Sequence, residues 1–266
     1  MTAELLNLVK RLSEPRLQET KVIKWACPVI SFGNLSNSKI ATLGLNPSNR
    51  EFVDGNGIEL KGDKRRFHTL ESLGLKKWAD ANKNHISIIV ELCNEYFFRN
   101  PYDSWFKKLD YLISGTSISY YFPSGEACHL DLIPYATSCK WTDLSLEERV
   151  LLLQLTGDTL GLILKQSPVK LLILNGQTVV DHLQKISNIS LNKTYMPDWT
   201  LPRKGTKGVL GYSYVGEINQ IAGIVLNQPI VALGYNHNIQ SSFGVTSKVQ
   251  TSIRDWISTK AKEISI

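Results

Sequence analysis

The sequence predicts an α/β fold: a three-layer α/β/α sandwich around a central, mainly parallel, four-stranded sheet. Four short apolar, β-branched segments, 39–45 (KIATLGL), 127–133 (ACHLDLI), 169–175 (VKLLILN) and 229–235 (PIVALGY), have the length and composition of strands buried on both faces. Helical periodicity fills the gaps between them, at 85–98, 103–113, 146–165 and 178–185. Strands that alternate with helices are joined by crossovers, which make neighbours parallel and cover both faces of the sheet. A chain of 266 residues with 42% hydrophobic content can bury one large core, so a single domain, 1–266, is expected.

Taken in order, residues 1–35 read as an N-terminal helical extension. Its opening, MTAELLNLVKRLSEPR, has mixed charge and no long apolar core, unlike a signal peptide, and no later run reaches membrane-spanning length. A cytoplasmic protein without membrane contact, a monomer, is the expectation. Residues 187–223 carry Gly, Pro, Asn and Lys and read as an insertion, a loop followed by one or two accessory strands. The last helical pattern, 246–262, places Val249, Ile253, Trp256 and Ile257 towards the core. Cys27, Cys93, Cys128 and Cys139 lack C-x-x-C spacing, so free thiols and no metal site or cofactor are expected. The net charge of +6 is spread along the chain and favours a polyanionic partner.

In open parallel sheets ligands collect at the carboxyl ends of the strands, and all four segments end in polar residues. Asn46, Asp131 with Thr137, Asn175, and Asn236-His237-Asn238 are therefore expected to converge. Ser241 or Ser242 is expected to lie near the start of the last helix, where free N–H groups suit a phosphate.

Several of these residues fall in ordered motifs. GLNPS at 44–48 resembles the G-x-N-P-G motif of the mismatch-specific branch of the uracil-DNA glycosylase superfamily, with Ser48 in place of the final glycine. RRFHTLESLGL at 65–75 resembles the N-R/H-F-W-x-x-L-x-x-x-G-L segment of the same branch. HNIQSS at 237–242 resembles H-P-S-P-x-S, keeping the His and the closing Ser but not the prolines. CHLDLIPYATSCKW falls where the family has the strand that reads the base edge, with Asp131 where an asparagine is usual.

That resemblance implies a monofunctional DNA glycosylase that flips out a base, hydrolyses its N-glycosidic bond and leaves an abasic site. Asn46 would orient water without acting as a strong base, and the imidazole N–H of His237 would face the oxyanion of the departing base. Asp131 would accept from an exocyclic amine, as of cytosine, or donate to a ring nitrogen if protonated. Gly44, Leu45, Pro47, Ser48, Phe67, Asn175 and Asn238 would line the base site, with Phe67 as the stacking face. Arg66, Ser241, Ser242 and Lys248, together with Lys64, Arg65, Lys204 and Lys207, would meet DNA phosphates. Ile239 and Phe243 are the two candidates for the residue that wedges into the duplex.

Uracil-restricted relatives carry a bulky aromatic after the first motif, where this chain has Ser48 and Asn49, so a larger base is expected. The resemblance extends to bacterial antiphage glycosylases that remove sugar-modified cytosine from phage DNA. The same residues leave open a uracil or mismatched-thymine repair glycosylase, and a catalytically silent DNA-binding relative. An unrelated nucleotide-binding protein is weaker, because no strand ends in G-x-G-x-x-G or a Walker loop.

Overall fold

The computed structural model describes residues 2–266 as an α/β fold built on a mixed six-stranded sheet. The four expected strands are present as β1 (Ile40–Gly44), β2 (Ala127–Asp131), β3 (Leu171–Asn175) and the second half of a longer strand, β6 (Ile224–Tyr235). They run parallel in the spatial order β2-β1-β3-β6. Every residue of β1, β2 and β3 is buried, as strands covered on both faces must be.

The expectation of four strands is corrected to six. The segment 187–223 supplies β4 (Asn192–Tyr195) and β5 (Tyr212–Ile221), which extend the sheet antiparallel beyond β6. β5 and β6 are joined through Ala222 and Gly223, both at positive φ (45° and 81°), the geometry of a two-residue hairpin whose twist matches the strands. The segment is therefore a sheet edge, and it also anchors Trp199, fully buried against Trp256 at 5.2 Å between ring centroids.

The helices observed among the described residues follow the predicted pattern with local changes. α1 (Thr2–Arg11) and α2 (Pro15–Gln18) form the N-terminal extension, but residues 19–34 leave the helix and lie in extended form against the domain. Isolated bridges pair Val22 with Thr137, Ala26 with Thr69 and Phe32 with His129, so this stretch belongs to the core. The pattern at 85–98 becomes α3 (Lys83–Asn94) and α4 (Tyr96–Arg99), and α5 spans Asp103–Ile113. The pattern at 146–165 splits into α6 (Leu146–Thr156) and α7 (Thr159–Leu164). Between them Asp158 takes a bidentate contact from Arg11 at 2.6 and 2.7 Å, tying α1 to this corner. α8 (Gln177–Ser187) and α9 (Ser247–Glu263) complete the set.

Helices cover both faces of the sheet. Register pairs Thr42 with His129 and Gly44 with Asp131, so these four share one face. α5 packs there, its Phe106 ring 5.4 Å from the His129 ring, and α9 is bonded to α5 through Tyr111 and Thr251 at 2.7 Å. α8 covers the opposite face, where a methyl on Gly234 would meet Val180 at 2.8 Å. Among the described residues no helix is long and apolar enough to cross a membrane.

Candidate functional site

The carboxyl ends of β1 and β2 stay in register past the strands, with Leu132 N–H donating to the Gly44 carbonyl and Ile133 N–H to Leu45. The chain then turns at Asn46-Pro47, and Ser48 caps a 3-10 turn over Asn49–Glu51 through Arg50 N–H to Ser48 Oγ at 3.2 Å. The spacing S-x-x-E reads as a capping box, in which the glutamate folds back onto the cap. Glu51 instead turns inward and is 3% exposed. Tyr96 Oη donates to Glu51 Oε2 at 2.9 Å, and Arg66 Nε lies 3.9 Å from the same oxygen.

Asp131 sits beside this turn, buried, its Oδ1 3.5 Å from His129 Nε2. Beneath it runs a polar chain through the apolar face: Tyr120 Oη and Thr42 Oγ1 at 2.5 Å, then Thr42 Oγ1 and His129 Nδ1 at 2.7 Å. When Tyr120 donates to Thr42 and Thr42 to Nδ1, the imidazole proton is left on Nε2, facing Asp131. Gly44 makes the arrangement possible. A Cβ there would lie 2.4 Å from Asp131 Oδ1 and 3.0 Å from His129 Nε2, so the glycine is a space for the carboxylate.

Two buried carboxyl groups thus follow β1 and end β2, Glu51 in the turn and Asp131 on the strand. Burial is the main cause that pushes the Glu51 carboxyl up to about 7, and the charge of Asp131 acts in the same direction. The Arg66 guanidinium and the Tyr96 hydroxyl oppose the rise without cancelling it. Asn46, half-buried at the rim, donates from Nδ2 to Thr137 Oγ1 at 2.9 Å and to the Pro47 carbonyl at 3.2 Å. Thr137 Oγ1 in turn donates to the Cys139 carbonyl at 2.7 Å, which fixes the amide's orientation. No hydrogen bond among the described residues reaches Asn46 Oδ1, so that oxygen is an acceptor open to water.

The ends of β3 and β6 are arranged differently. Asn175 is buried, donates to Gln240 Oε1 at 2.6 Å and accepts from Ile239 N–H at 3.2 Å. Asn238 Oδ1 accepts from the N–H groups of Gln240 and Ser241 at 3.0 and 3.1 Å. Both asparagines hold the β6–α9 loop, Asn175 through both amide atoms and Asn238 through its oxygen. His237 is 2% exposed, and its Nε2 lies 2.7 Å from the Trp199 carbonyl. Burial lowers its pKa, so the ring is neutral and its one N–H is used by that carbonyl. The expected role of His237 as an N–H donor to a departing base is corrected accordingly.

Three further expectations change. Phe67 is 1% exposed and stacked on Tyr96 at 5.2 Å, with Phe32 and Phe52 on its other sides, so it is a core ring and not an open stacking face. Arg66 donates to the carbonyls of Asn100 and Arg50, both at 2.7 Å, and roofs Glu51 instead of reaching outward for phosphate. The cap of α9 is Thr246, which accepts from Val249 N–H, and Ser241 and Ser242 lie in the loop before it. Lys248 is exposed in the first turn of α9. Of the wedge candidates, Ile239 is buried, whereas Phe243 is 83% exposed with Arg203 over its ring at 5.1 Å.

Glu51 and His129 are the residues at this site that sequence reading missed. His129 was legible, since H-x-D within a strand puts both side chains on one face. Glu51 was hidden by its capping-box spacing. Among the described residues no group of three or more His, Cys, Asp or Glu is placed to hold a metal ion, and the four cysteines are free thiols. Two surface clefts lie along the first half of α9, lined by Ser247, Lys248, Thr251, Ser252 and Asp255, and between α1 and α3. Compared with known proteins, the chain matches no protein-family model and no curated protein.

Proposed function

We propose that the protein is a monofunctional DNA glycosylase that hydrolyses the N-glycosidic bond of a modified pyrimidine, with sugar-modified hydroxymethylcytosine of phage DNA as the substrate in view. The observation that carries this reading is the open acceptor Asn46 Oδ1 beside the buried carboxylate Asp131 at the end of parallel strands. Asn46 holds the attacking water, its amide fixed by Thr137. Asp131, given room by Gly44, accepts from the exocyclic amine of a cytosine-type base. Ser48 adds no bulk at the rim, consistent with a large 5-substituent. Phe243, projecting beside Arg203, is the residue that enters the duplex, and the lysines 64, 204, 207 and 248, all exposed, supply salt-sensitive contacts to phosphate. The glycosylase-type three-layer sandwich, a cytoplasmic monomer and DNA as partner belong to the same proposal.

A second reading, a catalytically silent DNA-binding relative, is favoured by the engagement of His237 with Trp199 and by the covered ring of Phe67. One experiment separates them. Purified protein is incubated with uracil-containing DNA, with unmodified DNA and with glucosylated phage DNA, and abasic sites are counted by alkaline strand cleavage. Release from the glucosylated DNA, lost in Asn46→Ala, supports the leading reading, and release from uracil DNA alone moves the substrate to uracil. Retention of DNA without abasic sites would leave the silent reading standing.

A further inference from the structure

Resting on the glycosylase reading, we infer that Glu51 is the acid of the site: it hands a proton to a ring nitrogen of the leaving base, next to Asp131, which restricts the substrate to cytosine-type bases. The geometry is what sets Glu51 apart from an ordinary buried carboxylate. A glutamate in an S-x-x-E turn has a ready partner in the N–H of its own cap, yet here the side chain leaves that partner for the interior. Inside it receives one hydrogen bond, from Tyr96, and its cationic neighbour Arg66 stands off at 3.9 Å while donating to two backbone carbonyls. A structural buried carboxylate is normally neutralised by a close, bidentate arginine. Glu51 is instead buried with one hydrogen bond and an arginine at a distance, and the charge of Asp131 adds to the preference for its protonated form.

The groups facing Glu51 are Arg66 from the loop after the first strand, Tyr96 from α4 and Asp131 from β2. Arg66 and Tyr96 favour the ionised form, Asp131 disfavours it, and burial, the largest influence, leaves the proton affinity raised.

The step balances without any added reagent. As the bond from C1′ to the base nitrogen breaks, its electron pair stays with the base, and the Glu51 proton moves to the base's ring nitrogen. Water held on Asn46 Oδ1 bonds to C1′ through oxygen and releases one proton, which restores the acid form of Glu51. Cytosine departs poorly as an anion but well once protonated, whereas uracil departs as an anion without help. The acid therefore matters most for a cytosine-type base.

The test uses the full chain and two independent readouts. In the free protein, isotope-edited infrared difference spectra of wild type against Glu51→Gln read the Glu51 carboxyl directly. A protonated band present at pH 6 and gone by pH 8.5 is expected, and its absence at pH 6 would overturn the inference whatever the DNA assay shows. In single-turnover base release from DNA carrying glucosylated hydroxymethylcytosine, E51Q should be slower by about 10² to 10⁴-fold, while DNA carrying 5-fluorouracil, a base that leaves readily as an anion, should lose far less. Equal losses on both substrates would make Glu51 merely structural. Tyr96→Phe removes the one hydrogen bond that favours ionised Glu51, so the alkaline limb of the wild-type rate profile should move to higher pH, and an unmoved limb contradicts the assignment. If no DNA releases base while the infrared band titrates, the glycosylase reading fails and the protonated Glu51 stands.

Discussion

The two halves of the sheet's carboxyl edge differ in what their polar groups have left to bind. Over β3 and β6 the amide oxygens of Asn175 and Asn238 and the ring N–H of His237 are engaged by the loop they support: by Ile239 N–H, by the N–H groups of Gln240 and Ser241, and by the Trp199 carbonyl. Over β1 and β2, Asn46 keeps an open oxygen, Asp131 has only a 3.5 Å approach from His129, and Glu51 has a single donor. Leaving a buried polar group short of partners costs about 1–3 kcal/mol, more for a charge. Groups with their bonds complete are scaffold, and groups with capacity left are where a ligand gains most.

The largest expected effect breaks the comparison if it fails. Asn46→Ala and Asp131→Asn should each reduce base release by about 10² to 10⁴-fold, measured in single turnover, while His237→Gln stays near the wild-type rate. A severe loss in His237→Gln with Asn46→Ala unaffected would reverse the two halves.

Next comes the stability cost of Glu51. The unfolded carboxyl ionises near its ordinary 4.5 and the folded one near 7, so between those values the folded state holds more protons and stability falls as pH rises, levelling off above. The loss amounts to about 3 kcal/mol. The stability of wild type minus that of Glu51→Gln, from urea titrations at pH 4.5 to 8, should show that decline. Taking the difference between the two also removes the opposite trend from His68, whose burial lowers its pKa to about 4. Parallel curves would show that Glu51 carries no proton in the fold.

Gly44→Ala should destabilise by about 1–3 kcal/mol, because the new methyl meets Asp131 Oδ1 at 2.4 Å, and should impair release by displacing that carboxylate. Calorimetry and the release assay together read both effects. The smallest changes are expected over β3 and β6. Asn175→Ala leaves the Ile239 N–H without its acceptor and should cost about 1–2 kcal/mol in a thermal melt with release unchanged. A catalytic defect there at unchanged stability would mean that this half also meets substrate.

Much of the scaffold was legible in the chain. KIATLGL, ACHLDLI and VKLLILN contain β1, β2 and β3, and the periodicity at 103–113 coincides with α5, since apolar runs and helical spacing are local properties. The split between α6 and α7 was not, because Asp158 interrupts the pattern to meet Arg11 from the other end of the chain. The candidate site was half legible. Asn46 and Asp131 lie together at the sheet's edge, but Phe67 carried the signature of a stacking ring and turned out to be covered by Tyr96.

By itself the sequence determined which segments become strands and helices, and that polar residues follow each parallel strand, because backbone preference and hydrophobic period are set by near neighbours. Only the tertiary structure decided which of those polar residues have bonds to spare. The Trp199 carbonyl accepts from the His237 N–H, Thr137 orients Asn46, and Tyr96 and Arg66 flank the buried Glu51. Each of these partners is distant in the chain and brought close by packing. Hydrogen-bond capacity is a property of the completed neighbourhood, and no local pattern in IATLGLNPSNREF could announce that its glutamate, and not its serine, would face the interior.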